Sequence, residues 1–224
     1  MMEDEFDGRD ATGLQKPGSE RTEAQARAFY FRLYGKLVLL QAPGIGWALY
    51  FCAKLSLAGL DERFAFAHTN GLGWVFASWY CVYLMRIYLA INANGARAPA
   101  RVDRPDQHVY RLMSPDCNKQ PYVMMVTTGD VGRFNRAQRA CYNTDESMSI
   151  FLTGLLLVTL VFGPFATLLA VVNLYGRCRF ADLYTHSVKA RGAGFLPSVV
   201  SEHVSAALVG ICAIKSIGYA VLPF

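Results

Sequence analysis

The chain has 224 residues, of which 53% are hydrophobic and 17% charged. Soluble domains carry roughly 25% charge, so this composition argues against a soluble protein. The net charge of +5 does not point to nucleic acid, because the bases gather at the ends of apolar runs and no nucleic-acid motif accompanies them.

Residues 1–35 form a polar tail whose first 34 residues hold seven acids (Glu3, Asp4, Glu5, Asp7, Asp10, Glu20, Glu23) and five bases. It is neither a secretory signal nor an Arg-rich transit peptide. Such a tail is disordered on its own, although Thr22 and Glu23 predict a short helix between Glu20 and Tyr34. Residues 36–70 carry an extra hydrophobic segment. Its apolar run, 37–60, is interrupted by Pro43, Gly44 and Gly46 and contains Lys54. A continuous span needs about 20 apolar residues, so this run is either a kinked fifth span or an interfacial helix.

Residues 71–224 read as the membrane domain. A first span is expected over 72–96, with Trp74, Trp79 and Tyr80 suited to an interface. Arg86 sits in its middle, where a charge costs about 3 kcal/mol to insert, so it must face protein or snorkel. A polar connection over 97–133 carries Pro99, Pro105, Pro115 and Pro121. Helix 134–162 starts polar and finishes apolar. Gly163–Pro164 signals a turn, and helix 164–191 returns, apolar first and charged last. Gly192 and Gly194 end it, and a last span over 195–222 carries Glu202, His203 and Lys215. The charged halves therefore share one membrane face. The bases Arg97, Arg101, Arg133, Arg136, Arg177, Lys189 and Arg191 assign that face to the cytosolic or matrix side. The expected fold is an all-α integral membrane protein, a four-helix transmembrane bundle with an N-terminal extension.

Six cysteines, Cys52, Cys81, Cys117, Cys141, Cys178 and Cys212, form no CxxC pair and read as small buried hydrophobes. His186 and His203 lack a metal-ligand spacing, so no metal is expected.

Arg136, Arg139, Asn143 and Glu146 are spaced by three, four and three residues and share one helix face. Arg177, Tyr184 and Arg191 are spaced by seven and do so too if their helix is continuous. Paired charges that hold the bundle together are one reading of these stripes. The other is an anion site: arginine grips carboxylates in a bidentate fork, and Glu146 suits an ammonium group.

The run FNRAQRACYNTDE at 134–146, GRCRFADLY at 176–184 and ARG at 190–192 resembles the membrane-associated proteins in eicosanoid and glutathione metabolism, in particular the microsomal glutathione transferase and leukotriene synthase branches. The likeness covers roughly residues 72–222. It implies four transmembrane helices, a homotrimer, and glutathione bound between subunits. By resemblance, Arg97, Arg139, Asn143, Glu146 and Tyr184 contact glutathione, and Arg191 stabilises its thiolate, as a nearby cation favours the charged form. Phe180 stands where the family usually has tyrosine, Ser147 replaces a tyrosine found in some members, and Cys141 takes a position usually held by His or Gln.

Two functions follow. One is a membrane glutathione transferase or peroxidase acting on lipophilic electrophiles or lipid hydroperoxides in the endoplasmic reticulum or a mitochondrial membrane. The other is a catalytically inactive subunit of a larger organellar complex, such as a respiratory or ATP-synthase assembly, meeting other membrane subunits through residues 1–70. In both, the lipid bilayer is a partner.

Overall fold

The computed structural model describes residue 14 and residues 21–54, 60–104, 106–113 and 121–218. The tail before Arg21 (Leu14 apart), Cys117, and residues 219–222 of the expected last span lie outside these residues.

Helix α1 (Glu23–Leu39) opens with a capping box. The Thr22 hydroxyl accepts from the Gln25 backbone, and the Gln25 side chain accepts from the Thr22 backbone. These bonds satisfy two otherwise orphaned amides at the helix start. The helix continues past Tyr34, so it crosses from the polar tail into the hydrophobic segment. Leu40 keeps helical angles (φ −64, ψ −12), and α2 (Gln41–Lys54) follows with only a slight break. At 14 residues, α2 is about 21 Å long and alone falls short of a bilayer's hydrocarbon core. Helix α3 (Leu60–Thr69) leads through Gly71, at φ +67, into α4 (Gly73–Arg97).

The connection after α4 is partly ordered as an antiparallel hairpin of β1 (Tyr110–Met113) and β2 (Tyr122–Met125), with Tyr110 opposite Met125. Helix α5 runs from Gly129 to His186. It is one element by its ends only, because Phe162 leaves helical geometry (φ −118, ψ 43) and Pro164 follows. Proline removes an amide and clashes with the preceding turn, which breaks the helix there. The chain reverses at this point: Arg136 Nε donates to the carbonyls of Tyr184 and Thr185, both at 3.1 Å. The expected hairpin thus exists as two antiparallel limbs, 129–161 and 163–186. Gly163 is required at the bend, since a Cβ there would lie 2.6 Å from Trp74 Cδ1.

A 3-10 turn, Lys189–Arg191, joins α5 to α6 (Gly192–Ile217). This corrects two boundaries. The second limb ends at His186 rather than near residue 191, because Ser187 turns extended (φ −149, ψ 126). The last span begins at Gly192 rather than 195. Arg191 therefore does not share a continuous helix with Arg177 and Tyr184.

The α4 helix, the two α5 limbs and α6 make the four-helix bundle. Three of the described helices are long and apolar enough to cross a membrane, α5 among them, and α5 does so folded on itself. The core joins Met85 and Leu89 of α4, Phe151, Leu155 and Val158 of the first limb, and Leu169, Ala170 and Phe180 of the second, with Val204 and Leu208 of α6 against them. Small residues let the backbones approach, as membrane bundles require. Polar rungs cross the core: Ser78 to Thr167 at 3.0 Å and Asn92 to Thr185 at 2.9 Å. Outward side chains at the apolar end, such as Leu157, Leu160, Phe165 and Leu168, suit lipid.

Helix α1 is docked on this bundle, antiparallel to α4. Arg27 reaches Asp182 at 2.8 Å and the Tyr88 hydroxyl at 3.0 Å. Its stem fills the space above Gly95, where a Cβ would come within 2.3 Å of Arg27 Cγ. Glu23 faces His186 at 3.3 Å and Arg133 at 3.5 Å. Further along, Gln41 donates to the Tyr83 hydroxyl at 2.8 Å.

Candidate functional site

The six residues singled out in sequence fall into three places. Arg139 and Glu146 pair with each other on the first limb of α5, Nη1 to Oε1 at 3.1 Å, both exposed. Tyr184 and Arg191 meet at the junction with α6, the guanidinium 5.6 Å from the ring centroid; Tyr184 also stacks on Phe180. Arg97 ends α4 and is engaged elsewhere. Its Nη1 donates to the carbonyls of Asp103 and Asp106, each at 2.7 Å, and its guanidinium lies over the Phe134 ring. Asn143 lies between Arg139 and Glu146 along the limb and offers its backbone carbonyl to Arg177. Among the described residues, no hydrogen bond or ion pair links these three places.

What joins the helices is a buried network centred on Arg177, which is only 5% exposed. Its guanidinium meets Glu202 of α6 at 2.5 Å, Ser147 Oγ at 2.6 Å and the Asn143 carbonyl at 3.2 Å. Asn173 adds a bond to the same Glu202 oxygen at 3.1 Å. The arginine thus fixes the turn that carries Asn143 and Glu146. Ser147, a departure from the family pattern, has a definite task here as acceptor. The sequence signal for this network was Glu202 itself: an acid inside an apolar helix requires a buried cationic partner. The same rule finds the partner of Arg86, which pairs with Asp145 at 2.6 Å.

A groove of about 800 Å³ opens between the first limb of α5 and α6. Glu146, Ser147, Glu202 and His203 stand along its polar part, and Ile150, Phe151, Leu157 and Val209 line much of the rest, with Ser149, Thr153 and Ser205 among them. Charged groups at one end of an apolar trough are an arrangement that can hold a polar and a lipophilic group side by side.

Two buried clamps hold the connection above the bundle. Asn135, fully buried, accepts from Val109 N at 2.9 Å and donates to the Val109 and Val126 carbonyls at 2.8 Å. Arg136 adds the Thr127 carbonyl at 2.7 Å. Held between these clamps, His108 stacks on Tyr142 with centroids 5.4 Å apart and faces Tyr110 at 6.2 Å. Burial first, and the nearby Arg139 charge second, push its imidazole below the usual 6.5. The folded chain therefore favours neutral His108, and the stability this adds is complete above pH 6.5 and lost as pH falls through the depressed value. Proteolysis of the connection should accordingly accelerate below pH 6.5, and His108→Phe should remove that acceleration. An unchanged pH dependence in the variant would rule out His108 as its source.

A four-helix bundle whose helices are long and apolar enough to cross a membrane defines an integral membrane protein. The family model for MAPEG matches residues 74–211, more than half of the chain, and the chain belongs to that family, the membrane-associated proteins in eicosanoid and glutathione metabolism. The match spans α4 through most of α6 and leaves α1–α3 outside it. No curated protein matches the sequence.

Proposed function

We propose that the protein is a membrane glutathione transferase or peroxidase acting on lipophilic electrophiles or lipid hydroperoxides. Family membership supports glutathione-related chemistry, and the observation that carries the finer reading is the pairing of Arg139 with Glu146, which itself lines the polar end of the apolar groove. Glutathione is a zwitterion with two carboxylates and one ammonium group. An exposed arginine and glutamate two helical turns apart offer it one group of each sign, at the cost of their own surface pair, worth at most about 1 kcal/mol. Asn143, Tyr184 and Arg97 would complete the contacts, Arg97 through Nη2, since Nη1 holds the connection and Nε is buried.

When bound, glutathione supplies a thiol that reacts as thiolate. Arg191 would favour that charged form from its place over Tyr184. Arg177 keeps the turn bearing Asn143 and Glu146 in place, and the apolar trough excludes water from the reacting end. A homotrimer in the endoplasmic reticulum or a mitochondrial membrane is part of the same proposal.

Calorimetry of the full chain in lipid nanodiscs tests it. Glutathione should bind, and Arg139→Gln should weaken it by about ten-fold, the loss of one charge-assisted contact. Absence of both binding and conjugation of 1-chloro-2,4-dinitrobenzene would sink this reading.

A second reading, a structural subunit with catalysis lost, is favoured by one observation. Helices α1–α3 lie outside the family match and carry exposed Phe31, Leu39, Ile45, Trp47 and Phe66, a surface suited to other membrane subunits. Mild-detergent purification from native membranes distinguishes the two, as copurifying chains cross-linked to residues 21–69 belong to the second reading alone.

A further inference from the structure

Glu202 is the only acid in α6, and its bonding is lopsided. Arg177 Nε at 3.2 Å, Arg177 Nη2 at 2.5 Å and Asn173 Nδ2 at 3.1 Å all end on Oε1. A carboxylate offers acceptor positions on both oxygens, yet Oε2 has no partner among the described residues. One turn on, Ser205 is 2% exposed and its Oγ has no partner among the described residues. Its neighbours behave differently: Ser198 and Ser201 each return their hydroxyl to a carbonyl three residues back. Glu202 and Ser205, three apart, share a helix face, and both line the groove between α6 and the first limb of α5. Two residues with unspent hydrogen-bonding atoms therefore line a trough whose apolar floor is Ile150, Leu157, Ala206 and Val209.

The charges around them select the occupant. Arg177 neutralises Glu202, and Arg139 pairs with Glu146 on the facing wall. The polar end of the groove therefore holds no unpaired charge to draw a cationic or an anionic head. His203 turns its Nδ1 back to the Val199 carbonyl at 2.9 Å. What remains is an acceptor for a neutral O–H, next to a hydroxyl that can both donate and accept.

We propose that Glu202 and Ser205 form a polar subsite for the hydroxyl or hydroperoxyl group of a neutral long-chain lipid whose tail lies along Ile150, Leu157, Ala206 and Val209. The subsite rests on reading the groove as the lipid side of the proposed two-substrate site, and it supplies that side's substrate class. Arg177 serves it indirectly, by occupying Oε1 and leaving Oε2 turned to the ligand.

The test measures lipid binding with glutathione absent. Radiolabelled 1-hexadecanol is bound to the full chain in phosphatidylcholine nanodiscs and displaced by unlabelled 1-hexadecanol or by 1-methoxyhexadecane, which has the same chain but no O–H. The alcohol should compete on the order of ten-fold better, the worth of a hydrogen bond to a charged acceptor. Ser205→Ala removes a single hydroxyl and should cut that preference to about three-fold. Glu202→Gln should cut it as well, with folding checked by thermal melting. Equal competition by alcohol and ether, or a full preference surviving in Ser205→Ala, overturns the subsite. So does Thr153→Cys cross-linking between two copies with no alcohol bound, since a second copy then fills the groove. Glutathione binding by calorimetry is read separately, so either result can stand while the other falls.

Discussion

Arg177→Met should destabilise the bundle by about 3–5 kcal/mol, the cost of stranding one member of a buried ion pair. Glu202 would then keep only Asn173 as a donor on Oε1, and the Asn143 carbonyl and Ser147 Oγ would lose theirs. The double variant Arg177→Met with Glu202→Met should recover much of the loss, because replacing both partners with apolar groups removes the buried charge altogether. Thermal melting followed by circular dichroism in one detergent measures both. A single variant as stable as the native chain, or a double variant no better than the single, would show that the pair is not the hub of the interior. The double variant should nonetheless bind glutathione less well, since nothing then fixes the turn bearing Asn143 and Glu146.

The second large effect is expected at Asn135. Asn135→Leu keeps the volume but removes three hydrogen bonds, leaving the Val109 amide and the Val109 and Val126 carbonyls short of a partner. At about 1–3 kcal/mol for each buried group left unsatisfied, the loss should reach roughly 3–5 kcal/mol after relaxation. It should be local: the hairpin of β1 and β2 should become open to protease while α4, α5 and α6 keep their helical signal. Asn135→Asp should fare no better, because a carboxylate cannot donate to the two carbonyls. If the connection stays protected in both variants, the clamp is not what holds it.

The bundle was largely legible in the sequence because its signals are local. Gly163–Pro164 marks the bend of α5 through the chemistry of proline and the closeness of Trp74, and the apolar runs fix the helices by length. The end of the second limb was not legible. The seven-residue spacing of Arg177, Tyr184 and Arg191 mimics one helix, but α6 has to start beside Phe180, where a Cβ on Gly194 would lie 2.0 Å from the Phe180 nitrogen. That contact forces the reversal before Gly192. At the site, the Arg139–Glu146 pair follows from spacing within one helix. Arg177 with Glu202, Arg86 with Asp145 and Arg97 with the Asp103 and Asp106 carbonyls depend on how helices and the connection are rotated against one another, which spacing along one helix does not contain. The β1–β2 hairpin was missed because the connection's prolines hid two short strands whose order comes from Asn135, outside both.

The pairing of Arg86 with Asp145 also constrains how the protein reaches its membrane. Both side chains are nearly half exposed, and Arg86 sits at the middle of α4 while Asp145 belongs to the next membrane helix. As the chain leaves the ribosome, α4 emerges with its charge and without its counter-ion, so alone it is a poor candidate for release into lipid. The pair therefore predicts that α4 and the first limb of α5 enter together, and Asp145→Asn should lower the fraction of α4 inserted when the chain is translated in the presence of microsomes.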